Sequence, residues 1–545
     1  MSSPMWPWLW SILRFALIDD FMNFPRKIAI LLLLIVIGSG VGRFYELELP
    51  SLRWFFSFAL SESWAKRWPD LAPKFADAVG IFWLSLLSIV AVWLWLRGQS
   101  FAWNPMTLRR LKRFRSLTRG YVSFWLLLAL VLLTLPDHLL VGRKALVVRY
   151  EDQWHFPALV KKNYTAEDFG GEAKQPLDYR DLRDHFEREN DGNFVLMPLV
   201  PWDTTFDTDE LQKVALEWRD GICYEAGKSQ PYQGLATSYD PLDPTIKQRE
   251  ATFRRGQLQG LATLYNRQGD PIAKEQWQAG QLLSREVSEG SDTEIDPRQS
   301  KDYFALQYPP SPPSMSRAHW LGTDSRGWDL FAQIYGGLQV VCKASLLYVV
   351  LTFAIGISLG LVSGYFGGWL DLIMQRLIEV MSNIPFLFIV MIIASRIGRD
   401  QVSIVAIIAV MSAFSWIGVS IYQRTAALKE RERDYVAAAR VLGASTPRII
   451  FRHILPNVLS TTITLIPFYV TGVATSLTAL DFIGFGLPDR YPSWGTLLAD
   501  GLANLEAPWI VGSVFVVLVA LLLLITFIGE AIREAFDPKK FTTYH

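Results

Sequence analysis

Apolar residues in this chain gather into long runs that are almost free of charge, and the runs are unevenly placed. Three come early: Ile28–Val41, extendable through Tyr45, then Ala78–Leu96 and Tyr121–Leu140. A mostly polar stretch, 141–343, follows. Five more runs close the chain: Ala344–Leu361, a segment from Leu377 to Ala394 kinked at Pro385, Val402–Ile421, Thr461–Leu480 and Trp509–Ile528. Each is near the ~20 residues that a helix rising ~1.5 Å per residue needs to cross a ~30 Å hydrocarbon layer. The pattern predicts an all-α polytopic membrane protein of about eight transmembrane helices, with a partly β insertion between the third and the fourth.

The polar stretch has periods of its own. From Leu146-Val-Val-Arg-Tyr150 to Phe169-Gly-Gly171, apolar and polar residues alternate as in strands and turns. Gln233-Gly-Leu-Ala-Thr-Ser-Tyr239 returns as Gln259-Gly-Leu-Ala-Thr-Leu-Tyr265, and Phe253-Arg-Arg-Gly-Gln-Leu258 as Trp277-Gln-Ala-Gly-Gln-Leu282. Repeated aromatic, glycine and short alternating runs predict a β-meander over 230–285 whose hairpins stack, similar to MORN-type repeats. Such a layer suits contact with a ligand or another protein, and equally a decorative insertion. Asp181, Asp184, His185 and Glu187 lie along an expected helix, the ordinary pattern of a solvated face.

Charge then sets the sides. Trp6, Trp8 and Trp10 read as an interfacial anchor, and the start lacks the positive residues and cleavage site of a removable signal. Arg53-Trp54-Phe55-Phe56 places loop 46–77 against the membrane surface. Residues 97–120 hold Arg97, Arg109, Arg110, Lys112, Arg113, Arg115 and Arg119 with no acidic residue, which marks the cytoplasmic side. With eight crossings, this loop, both termini and the basic tail with Arg533, Lys539 and Lys540 all fall in the cytoplasm, and 141–343 on the outer side of the membrane.

Composition narrows the classes. A hydrophobic share of 51% excludes a soluble protein of this length, and a net charge of +1 excludes a general affinity for nucleic acid. Cys223 and Cys342 are too few for a disulfide framework or a thiolate metal site; they either pair or stay free. The histidines are scattered, so no metal site and no catalytic grouping is expected. No Gly-x-x-x-x-Gly-Lys-Ser/Thr occurs, which excludes ATP hydrolysis by a P-loop on this chain. The fourth, sixth and seventh spans hold no ionisable residue, which disfavours an ion-coupled carrier.

One polar stretch between two spans stands out, Asp434–Pro456. Its first half holds helix formers and three small residues, Ala437, Ala438 and Ala439, which let another surface come close. Gly443 suits a left-handed helix end. A second short helix can start with Thr446 as N-cap and Pro447 at its first position. The spacing from the alanines to Gly443, His453 and Pro456 resembles the EAA loop of ABC importer permeases, with Ala437 where that loop has its glutamate and with Asp434, Tyr435 and Arg440 close by. The resemblance implies a knob, 434–456, that fits a groove on a cytoplasmic ATPase.

Leu321-Gly-Thr-Asp-Ser-Arg-Gly-Trp-Asp-Leu330 resembles the motif that leads into the membrane in dipeptide/oligopeptide/nickel permeases, through Leu321, Gly322, Thr323, Asp324, Gly327 and Asp329; Trp328 replaces the usual arginine. Asp324 can cap a turn there. Gly364-Tyr-Phe-Gly-Gly-Trp-Leu-Asp371, Arg376–Pro385, Leu480-Asp-Phe-Ile-Gly-Phe-Gly-Leu487 and Pro492-Ser-Trp-Gly495 resemble the same family. The likeness covers 105–171 and 305–545 and is closest to the Yej-type branch of E permeases for microcin C and oligopeptides. It implies a MetI-like permease fold, divided as an N-terminal extension 1–104, a first core helix 105–140, a periplasmic domain 141–320 and a permease core 321–545. It also implies a second, unlike permease subunit, an ABC ATPase carrying ATP and Mg with no cofactor on this chain, a periplasmic binding protein and a peptide-like cargo. Two other classes remain: an ion-coupled secondary transporter, and a membrane-anchored periplasmic sensor or enzyme.

Overall fold

The computed structural model describes residues 24–44, 71–97, 105–134 and 137–536, apart from 161, 163, 171–176, 190, 209–211, 226–228, 240–245, 267–269, 288–301, 308, 316 and 398–402. The tryptophan anchor, most of loop 46–77 and the basic tail beyond Phe536 lie outside these residues. The chain divides into two compact units. One comprises Met1–Asp207, Pro313–Gly322 and Asp329–His545; the other comprises Thr208–Pro312 with Thr323–Trp328.

The first unit is built on apolar helices. α1 (Phe24–Phe44) and α2 (Leu71–Arg97) pack on each other. The short basic helix α3 (Pro105–Ser116) turns by 93° into α4 (Thr118–Leu133). Here the third span corrects the expectation: it begins at Thr118 and stops at Leu133 rather than Leu140. A small sheet follows, in the order β2 (Gln153–His155), β1 (Val147–Tyr150), β3 (Phe194–Leu196), covered by α5 (Tyr179–Glu189). Glu151 and Asp152, both at positive φ, turn β1 into β2.

α6 (Leu330–Phe366) has 37 residues, far more than the apolar run Ala344–Leu361 suggests. Its first turns contain Gly336, Gly337 and Gln339, which a hydropathy count ends on. Tertiary packing carries them: Gly337 lies against the Trp494 ring, whose indole N–H donates to the Ile334 carbonyl at 2.9 Å. α7 (Gly368–Ser382) and α8 (Phe386–Ile397) form the kinked fifth crossing, bent by 76° just before and at Pro385. α9 (Ile404–Arg431) packs along α6, where Gly356, Gly360 and Gly364 recur every fourth residue against Val419, Ser420 and Arg424. Small residues at that spacing bring two helix backbones together, which is how helices associate where lipid removes the hydrophobic drive.

α12 (Ile466–Phe482), α13 (Trp494–Ala503) and α14 (Pro508–Phe536) complete the unit. Between α12 and α13 the buried Asp481 carboxylate accepts the Leu487 backbone N–H at 2.5 Å and the Ser493 hydroxyl, so the two glycine-rich motifs at 480–487 and 492–495 close around one side chain. Among the described residues four helices are long and apolar enough to cross a membrane, six if each bent pair counts as one, and Ile28–Val41 and Gly80–Leu96 are shorter apolar helices.

The second unit is an eight-stranded sheet in the order β10-β9-β8-β7-β6-β11-β4-β5, with β4 Gln212–Arg219, β5 Ile222–Glu225, β6 Gly234–Tyr239, β7 Lys247–Arg254, β8 Gln257–Tyr265, β9 Pro271–Gln278, β10 Gln281–Val287 and β11 Tyr303–Gln307. The repeat seen in the sequence is the meander β6–β10. Its hairpins lie side by side in one sheet, and Gly234 faces Phe253 across the strands as Gly260 faces Trp277. The two-residue turns Asp220-Gly221, Arg255-Gly256 and Ala279-Gly280 all have positive φ at both positions, the hairpin geometry that matches strand twist. Buried Glu275 accepts from Arg249, from Arg285 Nε at 2.8 Å and from the Trp277 indole at 2.9 Å. Both cysteines are free thiols.

Candidate coupling site

The elbow at 434–456 is assembled at one end of α6 and α9. α10 (Asp434–Val441) starts just after α9 and buries Val436 and Ala439 against Leu361, Tyr365 and Ala427. The three alanines therefore split: Ala439 belongs to the inner face, and only Ala437 and Ala438 are exposed. At 100° per residue three consecutive positions cannot share one face. Tyr435 donates to Glu430 at 2.6 Å and accepts from Asn457 at 3.1 Å, pinning the start of α10 to the far arm. Burial and that carboxylate push the Tyr435 phenol above its ordinary value.

The corner closes as the expected left-handed cap. Gly443 has φ +76°, its N–H reaches the Arg440 carbonyl and the Ala444 N–H reaches the Ala439 carbonyl, each at 3.0 Å. This is the paired bonding of a Schellman end. Beyond it two details differ from the sequence reading. Ser445, not Thr446, is the extended residue before the next helical turn, which puts Pro447 at the second position; no side chain caps that end. The second arm is also not a short separate helix. Thr446–Arg448 runs through a wide π turn, Ile449–Ile454, into α11 (Leu455–Thr462), then a tight turn Ile463–Leu465 and α12, with helical backbone at every junction. Pro456 explains the wide turn. It has no N–H for the carbonyl four residues back, and widening the coil relieves the clash of its ring there.

What the elbow presents outward is apolar. Val441 is 88% exposed, Leu442 86% and Phe451 64%, with Asp434, Arg440, Arg448 and Arg452 around them. His453 is half-buried and its carbonyl accepts from Asn457 at 3.0 Å; Pro456 is exposed. Val441, Leu442 and Phe451 escaped the sequence reading, although Val441 ends α10 and Leu442 adjoins the corner glycine, where no helix face remains to bury them.

Behind the elbow the end of α6 is clasped. The Arg440 guanidinium lies 5.3 Å from the Tyr365 ring centre, and Arg431 donates to the Tyr365 carbonyl at 3.2 Å. Six residues on, Asp371 of α7 takes both arms of Arg424 from α9 at 2.5 Å each and the Ser363 hydroxyl at 2.9 Å. The elbow, the two long helices and the first half of the broken crossing thus meet at a single corner.

The second set of sequence candidates precedes α6 in the chain and is divided between the two units. Within the sheet unit, Asp324 is fully buried and closes its own loop, accepting the N–H groups of Arg326 and Trp328 at 2.9 Å each and the Arg326 side chain at 2.8 Å. Arg326 lies 3.8 Å over the Trp328 ring, so an arginine two residues earlier supplies the positive charge of this turn. Gly327 has φ +83° there, and Thr323 accepts the Ser311 N–H at 2.7 Å. Within the helical unit, Leu321 packs on the core and Gly322, at φ +85°, accepts the Leu330 N–H at 3.0 Å. Asp329 is the N-cap of α6, accepting the Ala332 N–H at 2.7 Å, and meets His319 Nδ1 at 2.8 Å. His319 stacks on Trp202 at 4.2 Å, and Arg180 covers the other side of Trp202 at 4.1 Å. Burial raises the Asp329 carboxyl above its ordinary value, against the pull of the His319 bond. These bonds cap and close the backbone that leads into α6.

Comparison with known proteins supplies the lineage. Residues 356–542, which contain the elbow and the clasp, match the family model of the binding-protein-dependent transport system inner membrane component. The chain is 33% identical to the inner membrane ABC transporter permease protein YejE of Escherichia coli K12, over 80% of this chain and 98% of that protein. It is 30% identical to the peptidoglycan transport system permease protein YejE of Agrobacterium fabrum, over 80% and 94%. Against the oligopeptide transport system permease protein OppC of Mycobacterium bovis it is 33% identical, over 44% and 80%. Spans, elbow and relatives agree: the chain belongs to the inner-membrane permeases of binding-protein-dependent ABC importers.

Proposed function

We propose that this permease passes oligopeptides, or peptide-like compounds of the kind represented by microcin C, with 434–456 as the part on which a separate cytoplasmic ATPase acts. The observation that supports the coupling role most directly is the elbow itself, which carries Val441, Leu442 and Phe451 outward at the head of a helical rod running to Phe482. Large apolar side chains so fully exposed on an otherwise polar segment are what a partner surface covers. The rod gives such a partner a lever, since a push at Phe451 travels along helical backbone into the seventh crossing. The cargo class follows the relatives, named for oligopeptide and peptidoglycan transport.

In this reading a second, unlike permease completes the pathway and a periplasmic binding protein delivers the cargo. ATP and Mg reside on the ATPase, which performs the hydrolysis. The elbow, the basic helix α3 and both termini face the cytoplasm, with 141–343 on the opposite side. Closure of the paired ATPase domains draws the elbow with it, and the clasp of Arg424 on Asp371 passes the movement to α7.

The test is co-purification from membranes expressing the whole transport system. Leu442→Asp is expected to insert normally and to lose the ATPase from the purified complex. Full retention of the ATPase by Leu442→Asp and by Phe451→Asp would remove the elbow from the mechanism.

A further inference from the structure

We propose that α3 is a binding surface for anionic phospholipid, holding headgroup phosphates with Arg109, Lys112 and Arg115. The argument begins from direction. α4 carries the third apolar run, which we take as a crossing, and α3 meets it at 93°; with α4 along the bilayer normal, α3 lies in the plane of the bilayer surface. One flank of α3 is occupied by the protein: Arg113 pairs with Glu534 at 3.3 Å and the Arg110 guanidinium lies 4.9 Å over the Phe536 ring, both at the last turn of α14. These two contacts fix the roll of the helix about its own axis.

With that roll fixed, the remaining side chains sort by chemistry. Leu111 is exposed, and Phe114 packs edge-on against Tyr121 and Phe124 of α4, which directs this side toward the acyl layer. Arg109, Lys112 and Arg115 are exposed on the other sides, and none pairs with a carboxylate among the described residues. α3 and α4 carry no acidic residue. At ~100° per residue Arg115, Lys112 and Arg109 follow Leu111 in turn around the helix, so positive charge rises away from an exposed leucine, an order that complements a lipid's chain and phosphate. A free anion would use only the charges, and a nucleic acid would find no use for Leu111. The inference rests on the membrane placement of α4 and not on the ATPase reading, so either can fail alone.

The experiment is native mass spectrometry of the full chain released from detergent with added phosphatidylglycerol or phosphatidylcholine. Wild type is expected to keep phosphatidylglycerol under conditions that strip phosphatidylcholine, and to lose it as salt is raised. Arg109→Gln/Lys112→Gln/Arg115→Gln should weaken retention roughly fivefold for each charge removed, while Arg109→Lys/Arg115→Lys keeps it. Leu111→Gln should also weaken it with every charge in place. Equal retention of both lipids, salt-insensitive retention by wild type, or unchanged binding in the triple glutamine variant would each overturn the proposal. Displacement of phosphatidylglycerol by millimolar inorganic phosphate, with Leu111→Gln indistinguishable from wild type, would assign the site to free anions and overturn it equally.

Discussion

Gly443 has nothing within 4 Å of where a Cβ would sit, so a substitution there acts through conformation and charge rather than collision. Any L-residue held at φ +76° costs about 1–2 kcal/mol, and aspartate adds a charge beside Leu442. Gly443→Asp is therefore expected to leave membrane insertion intact and to abolish uptake, read by fractionation and by a transport assay on the same cells. Glu275 makes the opposite case, a charge whose value lies in its partners. Burial alone would raise its carboxyl, but the hydrogen bonds from Arg249, Arg285 and Trp277 hold it below its ordinary value of 4.5. A carboxylate depressed in the folded state contributes stability that is fully present above its unfolded value and disappears as pH falls through the folded one. Protection of β7–β9 amides from hydrogen exchange in the intact protein, corrected for the intrinsic pH dependence of exchange, should fall on acidification below pH 4.5, and Glu275→Gln should be less protected at neutral pH with little further change in acid. Asp329→Ala should cost about 1 kcal/mol as a lost N-cap, seen as fraying of the first turn of α6.

At the scale of elements, the contact between α6 and α9 depends on having no side chains where the backbones cross. A Cβ at Gly360 would press on the Ser420 carbonyl and Gln423, and one at Gly364 on the Arg424 carbonyl. Backbone cannot give way there as a flexible side chain can, so Gly360→Leu should separate the helices and prevent stable insertion, measured as loss of detergent-soluble protein. The clasp allows a subtler test. Asp371→Asn keeps the shape but removes the charge that holds Arg424, and should leave the complex assembled while ATP hydrolysis continues with little transport. A reconstituted assay that counts both would check this. Hydrolysis and uptake falling together in Asp371→Asn would show the clasp to be a structural tie only.

For the whole molecule, the feature that separates transport classes is where the energy enters. Arg376 and Glu379 pair with each other at 2.5 Å on an exposed face of α7, α6 carries no carboxylate, and the one on α12, Asp481, is held by Leu487 and Ser493 at the helix end. Uptake should accordingly fail when cellular ATP is depleted and survive collapse of the proton gradient while ATP is maintained. The reverse result would return the ion-coupled class.

Much of this architecture could be read along the chain because lipid is an exacting solvent. It leaves the backbone no hydrogen-bond partner except itself, so each crossing must declare itself as one contiguous apolar run. The β-meander was legible for a related reason: hairpins pair near neighbours, and Arg255-Gly256 and Ala279-Gly280 announce the turns locally. The corner at Gly443 belongs with these, since a left-handed residue is a property of one position. Everything decided by partners distant in sequence stayed hidden. Whether Ala439 faces in or out depends on Leu361 and Tyr365; the added turns of α6 depend on Trp494; the burial of Glu275 depends on Arg249 and Arg285 arriving from β7 and β10. The second arm of the elbow was likewise settled only in three dimensions, because a polar stretch looks like a loop until Ile449, Ile450 and Ile454 find the core that lets it continue as helix into the membrane. Local stereochemistry and the demands of lipid determined the elements; packing between them decided where they end and which faces remain for partners.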